Sequence, residues 1–163
     1  SSCCSAHTAS RDQEYICPKV KNQKDYRGYD WFADGAVNFE ANKTNSATLI
    51  RDAAVEFIRN RSQSTRPFFL YLPFQNIHCP YTCEQVYIDQ YANHSHLTEA
   101  EKVMYGYLSE MDDAVGNVIQ TLKDHDLWEN LLIIYTSDNG APPAPGFVFF
   151  WVVLLHYRTQ LIF

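Results

Sequence analysis

The chain has 163 residues, a net charge of −6 at pH 7, and 46% hydrophobic and 15% aromatic residues. That length and apolar content suffice for one domain with a packed core. The acidic balance, without any run of Lys and Arg, argues against a nucleic-acid partner. The first residues, Ser1 to Cys4, carry neither an initiator Met nor a signal peptide, so we expect an internal or processed piece.

Cysteines and glycosylation signals bear on the cellular compartment. The five cysteines fit neither a zinc ribbon nor a thioredoxin motif, although Cys79 and Cys83 are spaced to allow a small loop disulfide. N-glycosylation signals begin at Asn42, Asn60 and Asn93. Three such signals in a short chain favour the secretory pathway, and we expect a lysosomal or extracellular location.

The first half of the chain predicts irregular structure and then one helix. Residues 1–40 are polar and aromatic without a regular period. From Thr44 onward apolar residues recur at helical spacing, and Thr44 or Ser46 is the expected N-cap. The stripe consists of Leu49, Ile50, Ala53, Ala54, Phe57 and Ile58. The period breaks at 62–65, where the helix should end.

Two apolar segments, 67–72 and 131–136, predict buried strands. Pro67 is compatible with the first strand because proline is tolerated at a strand's first position. A short helix is expected around 84–91. A strand, helix, strand order forms a βαβ unit, whose crossover predicts that the two strands run parallel.

A capping box opens the long helix between these strands, with Thr98 as N-cap and Glu101 at position N3. The helix should end between Lys123 and Asp126. Its apolar face is predicted to carry Tyr107, Leu108, Met111, Val115, Val118, Ile119 and Leu122.

Polar residues follow both predicted strands. His78 lies in the loop after 67–72, and Asp138 and Asn139 follow 131–136. Carboxyl ends of parallel strands open at one sheet edge, where α/β proteins bind ligands. The two oxygen donors suit Ca²⁺ or Mg²⁺, and an imidazole beside such a cation suits hydrolysis of an anionic ester.

Each of these residues also has a structural interpretation. Asp-Asn-Gly at 138–140 is a common turn sequence, and a loop histidine such as His78 is often satisfied by backbone groups. His94 and His96 alternate as metal ligands do, but we interpret them as part of a solvated loop.

An ordered set of motifs resembles the sulfatase family, and within it the arylsulfatase B-like branch. In chain order the motifs are Arg66–Leu72, Gln75–Pro80, Met111–Gly116, Leu127–Asn130 and Ser137–Gly140. The resemblance runs from about Tyr26 to Ala141 without a break in order, which makes it more specific than any single motif.

The resemblance implies an α/β fold of the alkaline-phosphatase type, a central sheet flanked by helices, incomplete in this chain. It implies hydrolysis of sulfate esters, either small molecules or glycosaminoglycans, by a formylglycine made from cysteine, with one bound Ca²⁺. Asp138 and Asn139 match two Ca²⁺ ligands of the family. His78 matches the histidine that contacts the sulfate ester, and Asp112 and Asp113 match a helix surface without catalytic duty.

The chain departs from the family pattern at the nucleophile and beyond residue 141. It contains no C-x-P-S-R motif, and the upstream Asp-Asp pair and Lys-x-His are also missing, so we expect no turnover from these residues alone. Residues 1–141 should form part of a sulfatase catalytic domain, and 142–163 a non-homologous hydrophobic tail. The apolar run 147–155 is too short to span a bilayer and is β-prone, so we do not expect a membrane partner.

Two other functions remain open at this point. A phosphodiesterase of the alkaline phosphatase superfamily would share the sheet but use two transition-metal ions and several His and Asp ligands. A non-catalytic sulfatase-like fragment would bind a partner or act as a decoy, which the missing nucleophile motif favours.

Overall fold

The computed structural model describes residues 31–41, 44–78, 81–138 and 154–158, the last for the backbone. The chain divides into two compact units, Ser1–Thr121 and Leu122–Phe163. In chain order the elements are β1 (Phe32–Ala33), β2 (Ala36–Val37), a 3₁₀ turn (Phe39–Ala41), α1 (Ser46–Arg61), α2 (Gln85–Asp89), α3 (Glu99–Asp124), a second 3₁₀ turn (Trp128–Asn130), β3 (Leu131–Tyr135) and β4 (Leu154–Arg158).

A small hairpin formed by β1 and β2 opens the described part of the chain, where irregular structure was expected. Its two-residue loop is Asp34–Gly35, with φ angles of 49° and 81°. A two-residue hairpin loop of the type I′ class requires positive φ at both positions, and Asp-Gly is a favoured sequence for it. The remaining prediction for residues 1–30 lies outside the described residues.

Helix α1 confirms the periodicity prediction, but the predicted cap is wrong. Its N-cap is Asn45 rather than Thr44 or Ser46, and no side-chain capping bond forms there. The Asn45 amide instead donates to Glu110, 65 residues away, at 2.6 Å. The cap position therefore serves a long-range contact.

Helix α3 begins as predicted. The backbone N–H of Thr98 donates to Glu101 Oε2 at 2.7 Å, and the backbone N–H of Glu101 donates to Thr98 Oγ1 at 3.3 Å. This reciprocal pair is the capping box. The helix ends at Asp124, within the expected range.

The apolar core is drawn mainly from α1 and α3. Its buried side chains are Ala41, Ala47, Ala54, Ile58, Tyr107, Met111, Ala114, Val118 and Leu122. Two members of the predicted stripes, Ala53 and Leu108, are exposed instead. On each helix, therefore, fewer apolar residues are buried than the sequence pattern predicted.

Helix α2 forms as predicted and packs closely on α3. The Tyr87 hydroxyl donates to Asp113 Oδ2 at 2.9 Å. A Cβ added at Gly106 of α3 would lie 3.0 Å from the backbone nitrogen of Ile88 and 3.1 Å from Cys83 Sγ. Glycine at this position lets the two backbones approach.

The predicted first strand is wrong as a strand. Residues 67–75 carry no strand ladder within the described part of the chain, and the backbone N–H of Phe74 donates to the carbonyl of Leu72 at 3.1 Å. Phe68 packs edge-on against Phe57 of α1 with ring centroids 5.7 Å apart, whereas Phe69 and Tyr71 are 87% and 73% exposed. The segment has the period-two burial of a strand but lacks the hydrogen-bonded partner that a sheet requires.

The second predicted strand forms as β3, but its pairing and burial differ from the prediction. β3 pairs antiparallel with β4, with Leu131 opposite Arg158 and Tyr135 opposite Leu154. The parallel βαβ pairing is therefore wrong for the described residues, because a β-prone segment later in the chain supplies the partner. Ile134 is 60% exposed, so one face of β3 is uncovered. No helix within the described ranges is long and apolar enough to cross a membrane.

Candidate active-site segments and family

His78 ends a tight turn that is anchored on α3. Its backbone N–H donates to the carbonyl of Gln75 at 2.9 Å. Two residues before His78, the Asn76 side-chain amide donates to the carbonyl of Tyr107 at 2.8 Å. The His78 side chain is exposed. The turn thus presents the imidazole at the surface while its neighbour fixes the backbone to the long helix.

Glu110 of α3 joins three chain segments, and the sequence analysis missed it. The residue is 3% exposed, and its Oε1 accepts from the Asn45 side chain at 2.6 Å and from the backbone N–H of Glu84 at 3.4 Å. Burial raises the pKa of this carboxyl above its ordinary value. A signal existed in the sequence, since Glu110 lies three residues after Tyr107 on the apolar face of the helix.

Asp138 lies three residues beyond the end of β3, where the prediction placed it. Its carboxylate is exposed, and the preceding hydroxyl of Thr136 donates to the carbonyl of Ser137 at 3.1 Å. Its proposed co-ligand Asn139 lies outside the described residues. A shared edge for His78 and Asp138 stays a prediction.

The other acidic and imidazole pairs are surface features. Asp112 and Asp113 are both exposed on α3, and Asp113 accepts the Tyr87 hydroxyl. His94 and His96 are exposed, with ring centroids 5.7 Å apart. Over the described ranges, no group of three or more His, Cys, Asp or Glu residues could hold a metal ion.

Cys83 is a free thiol, so the loop disulfide considered between Cys79 and Cys83 is wrong. Its Sγ donates to the carbonyl of Val103 at 3.9 Å, and burial raises the pKa of the thiol to about 11. A thiol with such a pKa is a poor nucleophile at neutral pH. A groove of about 300 Å³ beside it is also lined by Ile88 and Val103, among others.

Two of the three predicted glycosylation sites fall on described residues. Asn60 is exposed near the end of α1, and Asn93 is exposed in the turn after α2. Asn42 lies outside the described residues. Exposure meets the steric requirement for a glycan, and all three assignments stay predictions.

A sulfatase family model matches residues 5–149. The chain belongs to the sulfatase family. The resemblance found in the sequence is therefore confirmed, and so is the fold class, an incomplete α/β fold of the alkaline-phosphatase-like sulfatase type. The matched range includes the turn of His78 and the end of β3.

Sulfatases of several kinds are similar to this chain. It is 29% identical to N-acetylgalactosamine-6-sulfatase of Canis lupus familiaris over 112 residues, which cover 68% of this chain and 20% of the relative. It is 29% identical to arylsulfatase J of Mus musculus over 119 residues, covering 73% and 20%. The chain thus spans about a fifth of the length of these relatives.

A solved structure supports the same fold. The crystal structure of Ps i-CgsB in complex with k-i-k-neocarrahexaose superposes with a TM-score of 0.60 at 25% identity. The match covers 66% of this chain and 23% of the other.

Proposed function

We propose that this chain is part of a sulfuric ester hydrolase of the arylsulfatase type. The observation that carries the proposal is the family match over residues 5–149, which includes both segments that hold the candidate site residues. The proposed substrates are sulfated small molecules or glycosaminoglycans, in keeping with relatives named N-acetylgalactosamine-6-sulfatase and arylsulfatase J.

In this proposal His78 transfers a proton to the leaving-group oxygen. An exposed imidazole on a turn fixed to α3 can reach a bound ester, and imidazole is the side chain best suited to exchange a proton near neutral pH. The anchor through Asn76 limits the range of positions open to the imidazole, which is what a proton-transfer group needs.

Asp138 and Asn139 are the proposed Ca²⁺ ligands. The exposed Asp138 carboxylate, just beyond the end of β3, fits a hard cation because it offers a charged oxygen donor at the surface. When bound, Ca²⁺ would supply positive charge that stabilises the sulfate oxygens. The role of the two residues is to hold that charge at the carboxyl end of the strand.

The nucleophile of the proposed reaction is not supplied by these 163 residues, because they contain no C-x-P-S-R motif. We propose that the 163-residue chain alone has no turnover, and that residues 1–141 belong to the catalytic domain while 142–163 form a non-homologous tail. The family match extends to residue 149, so residues 142–149 are the part of this division that most needs a test. Transcript reads across residues 141–146 would test this division. Continuous family sequence in all transcripts would contradict it.

The activity is best tested in a longer polypeptide that carries both this chain and the nucleophile motif. We expect hydrolysis of an aryl sulfate, and a fall in kcat of about a hundredfold or more on His78→Ala. Asp138→Ala should lower both activity and the Ca²⁺ content of the protein. His94→Ala, another exposed loop histidine, is the matched control and should retain activity.

Full activity in both variants would show that the assigned roles are wrong. Metal analysis separates the rival enzyme class: one Ca²⁺ per chain supports a sulfatase, and two transition-metal ions support a phosphodiesterase. A polypeptide that folds and binds no Ca²⁺ would favour the non-catalytic alternative.

We further propose a secretory route, either lysosomal or extracellular, with glycans at Asn42, Asn60 and Asn93. Expression in a secreting cell should give a chain whose mass falls on endoglycosidase treatment. Replacing each Asn by Gln in turn should remove one glycan, and no change in mass would contradict the assignment.

A further inference from the structure

Only one of the two carboxyl oxygens of Glu110 accepts hydrogen bonds. Its Oε1 accepts two hydrogen bonds, from Asn45 Nδ2 and from the backbone N–H of Glu84. Its Oε2 is buried and has no hydrogen-bond partner among the described residues. A buried carboxylate oxygen without a donor is costly, because the water it loses on folding is not replaced.

The Asn76 side chain also has a buried oxygen that lacks a hydrogen-bond donor. Its Nδ2 donates to the carbonyl of Tyr107, and its Oδ1 is buried with no partner in the described part of the chain. This amide is within hydrogen-bonding reach of the Glu110 carboxyl, and an N–H donated from it would lower the pKa of that carboxyl. Because Nδ2 already donates to Tyr107 while Oδ1 of Asn76 and Oε2 of Glu110 both lack donors, a single proton on Glu110 would satisfy both oxygens.

Burial favours the neutral form of the Glu110 carboxyl and so does the charge of Glu84, while the hydrogen bonds from Asn45, Asn76 and a backbone N–H favour the charged form. Helix α2 and the segment before it present acidic or weakly acidic groups, and α3 adds a phenol. The titratable groups that interact electrostatically with the carboxyl are Glu84, Cys83, Tyr87 and Tyr107. From α1 the contact is the neutral amide of Asn45, and Arg51 of that helix interacts with Tyr87 and Asp113.

We propose that Glu110 keeps its proton to a higher pH in the folded protein than an exposed glutamate does, and that its Oε2 donates this proton in a hydrogen bond to Oδ1 of Asn76. A neutral acid then fixes the turn of His78 to α3, in addition to the Asn76 bond to Tyr107. Glu110 is a positioning residue in this arrangement, acting through Asn76. Only its effect on turnover rests on the proposed function of His78.

The proposal has a defined pH dependence. Burial raises the folded-state pKa of Glu110 above the unfolded value of about 4.3. Between those two pKa values the folded state binds more protons than the unfolded state, so stability falls as pH rises. The contribution is fully present below the unfolded pKa and is lost as pH rises through the folded pKa.

The first experiment follows the side-chain carboxyl carbons of glutamate by ¹³C NMR in the 163-residue chain. One resonance should titrate at higher pH than the others and should be missing in the Glu110→Gln variant. A Glu110 resonance that titrates in the ordinary range of glutamate would overturn the proposal.

Asn76→Ala decides the direction of the hydrogen bond. If Oδ1 of Asn76 accepts from the protonated acid, the variant destabilises the neutral form and the pKa of Glu110 falls towards its ordinary value. If the amide instead donates to a carboxylate, the same substitution raises that pKa. A rise would therefore refute the proposed bond.

Unfolding by urea between pH 4 and pH 8 gives an independent readout. In Glu110→Gln, which carries a donor at every pH, the fall in midpoint with rising pH should be abolished. Glu101→Gln is the control on the same helix, because the exposed Glu101 has a lowered pKa and its effect has the opposite sign. Unchanged pH dependence in Glu110→Gln would contradict the proposal, and neither readout depends on sulfatase activity.

Discussion

Helices α1 and α3 bury more of their apolar side chains than the two apolar segments 67–75 and β3 do. Ile58 of α1 is fully buried, and Tyr107 and Met111 of α3 are nearly so. In the two segments alternate residues are exposed: Phe69 is 87% exposed and Ile134 is 60% exposed. Helices α1 and α3 thus contain buried apolar side chains, whereas no residue of 67–75 or β3 is buried.

Helices and strands differ in how far apart along the sequence their hydrogen-bond partners lie. A helix completes its backbone hydrogen bonds within itself, so it needs only one packing surface. A strand needs a neighbouring strand for its backbone and a covering layer on at least one face, or on both faces in a parallel sheet. Among the described residues, the two apolar segments leave more surface uncovered than α1 and α3 do.

The contrast is tested most strongly by truncating one residue from each region. Ile58→Ala should destabilise the protein by about 2–5 kcal/mol, because it removes a fully buried side chain and leaves a cavity. Phe69→Ala should change stability by less than about 0.5 kcal/mol, since the ring is already in water. Urea unfolding followed by circular dichroism measures both. A large cost for Phe69→Ala would mean that its face is covered in solution, which would break the comparison.

Substitutions at two glycines of α3 test how closely α2 approaches α3. Gly106→Ala should cost about 1–3 kcal/mol, because the new Cβ would lie 3.0 Å from the Ile88 nitrogen and 3.1 Å from the Tyr87 carbonyl carbon. Gly116→Ala meets no atom within 4 Å and should stabilise the helix by up to about 1 kcal/mol. Thermal melting of the two variants should show shifts of opposite sign, and equal shifts would disprove the close approach of α2 to α3.

A smaller loss of stability than in the core is expected at the start of α3. Thr98→Ala should cost about 1 kcal/mol by removing the cap. The Thr98 backbone N–H and then its hydroxyl lower the pKa of Glu101, so the capping contribution is present above the unfolded pKa and is lost as pH falls. The variant should raise the pKa of Glu101, measured by ¹³C NMR. A pKa of Glu101 that does not respond would show that the capping box is not formed in solution.

The local elements could be predicted from the sequence, and the long-range ones could not. The apolar period of α1 and the Thr98–Glu101 box at the start of α3 are carried by residues within a few positions of each other. The partner of β3 was predicted wrongly, because antiparallel pairing with β4 depends on a segment about twenty residues later. Strand pairing is a choice among distant partners, and one sequence does not rank them.

The candidate site divides in the same way. The position of Asp138 just after a strand could be predicted, since β3 ends at Tyr135, and its role as a ligand stays a prediction. The hydrogen bond that fixes the turn of His78 could not be predicted from the sequence. It joins Asn76 to a residue 31 positions away, Tyr107, and its acceptor is a backbone carbonyl. The buried carboxyl of Glu110 was missed because a charged residue type is normally assigned to the surface.

The bond from Asn45 to Glu110 has a consequence for the order of folding. It closes a loop of 65 residues, whereas the capping box of α3 spans three. Contacts between distant residues form late, because the entropy of closing the loop must be overcome before the contact contributes. We therefore expect α3 to be formed in the folding transition state, while the junction of the three segments at Glu110 assembles on the native side of the barrier.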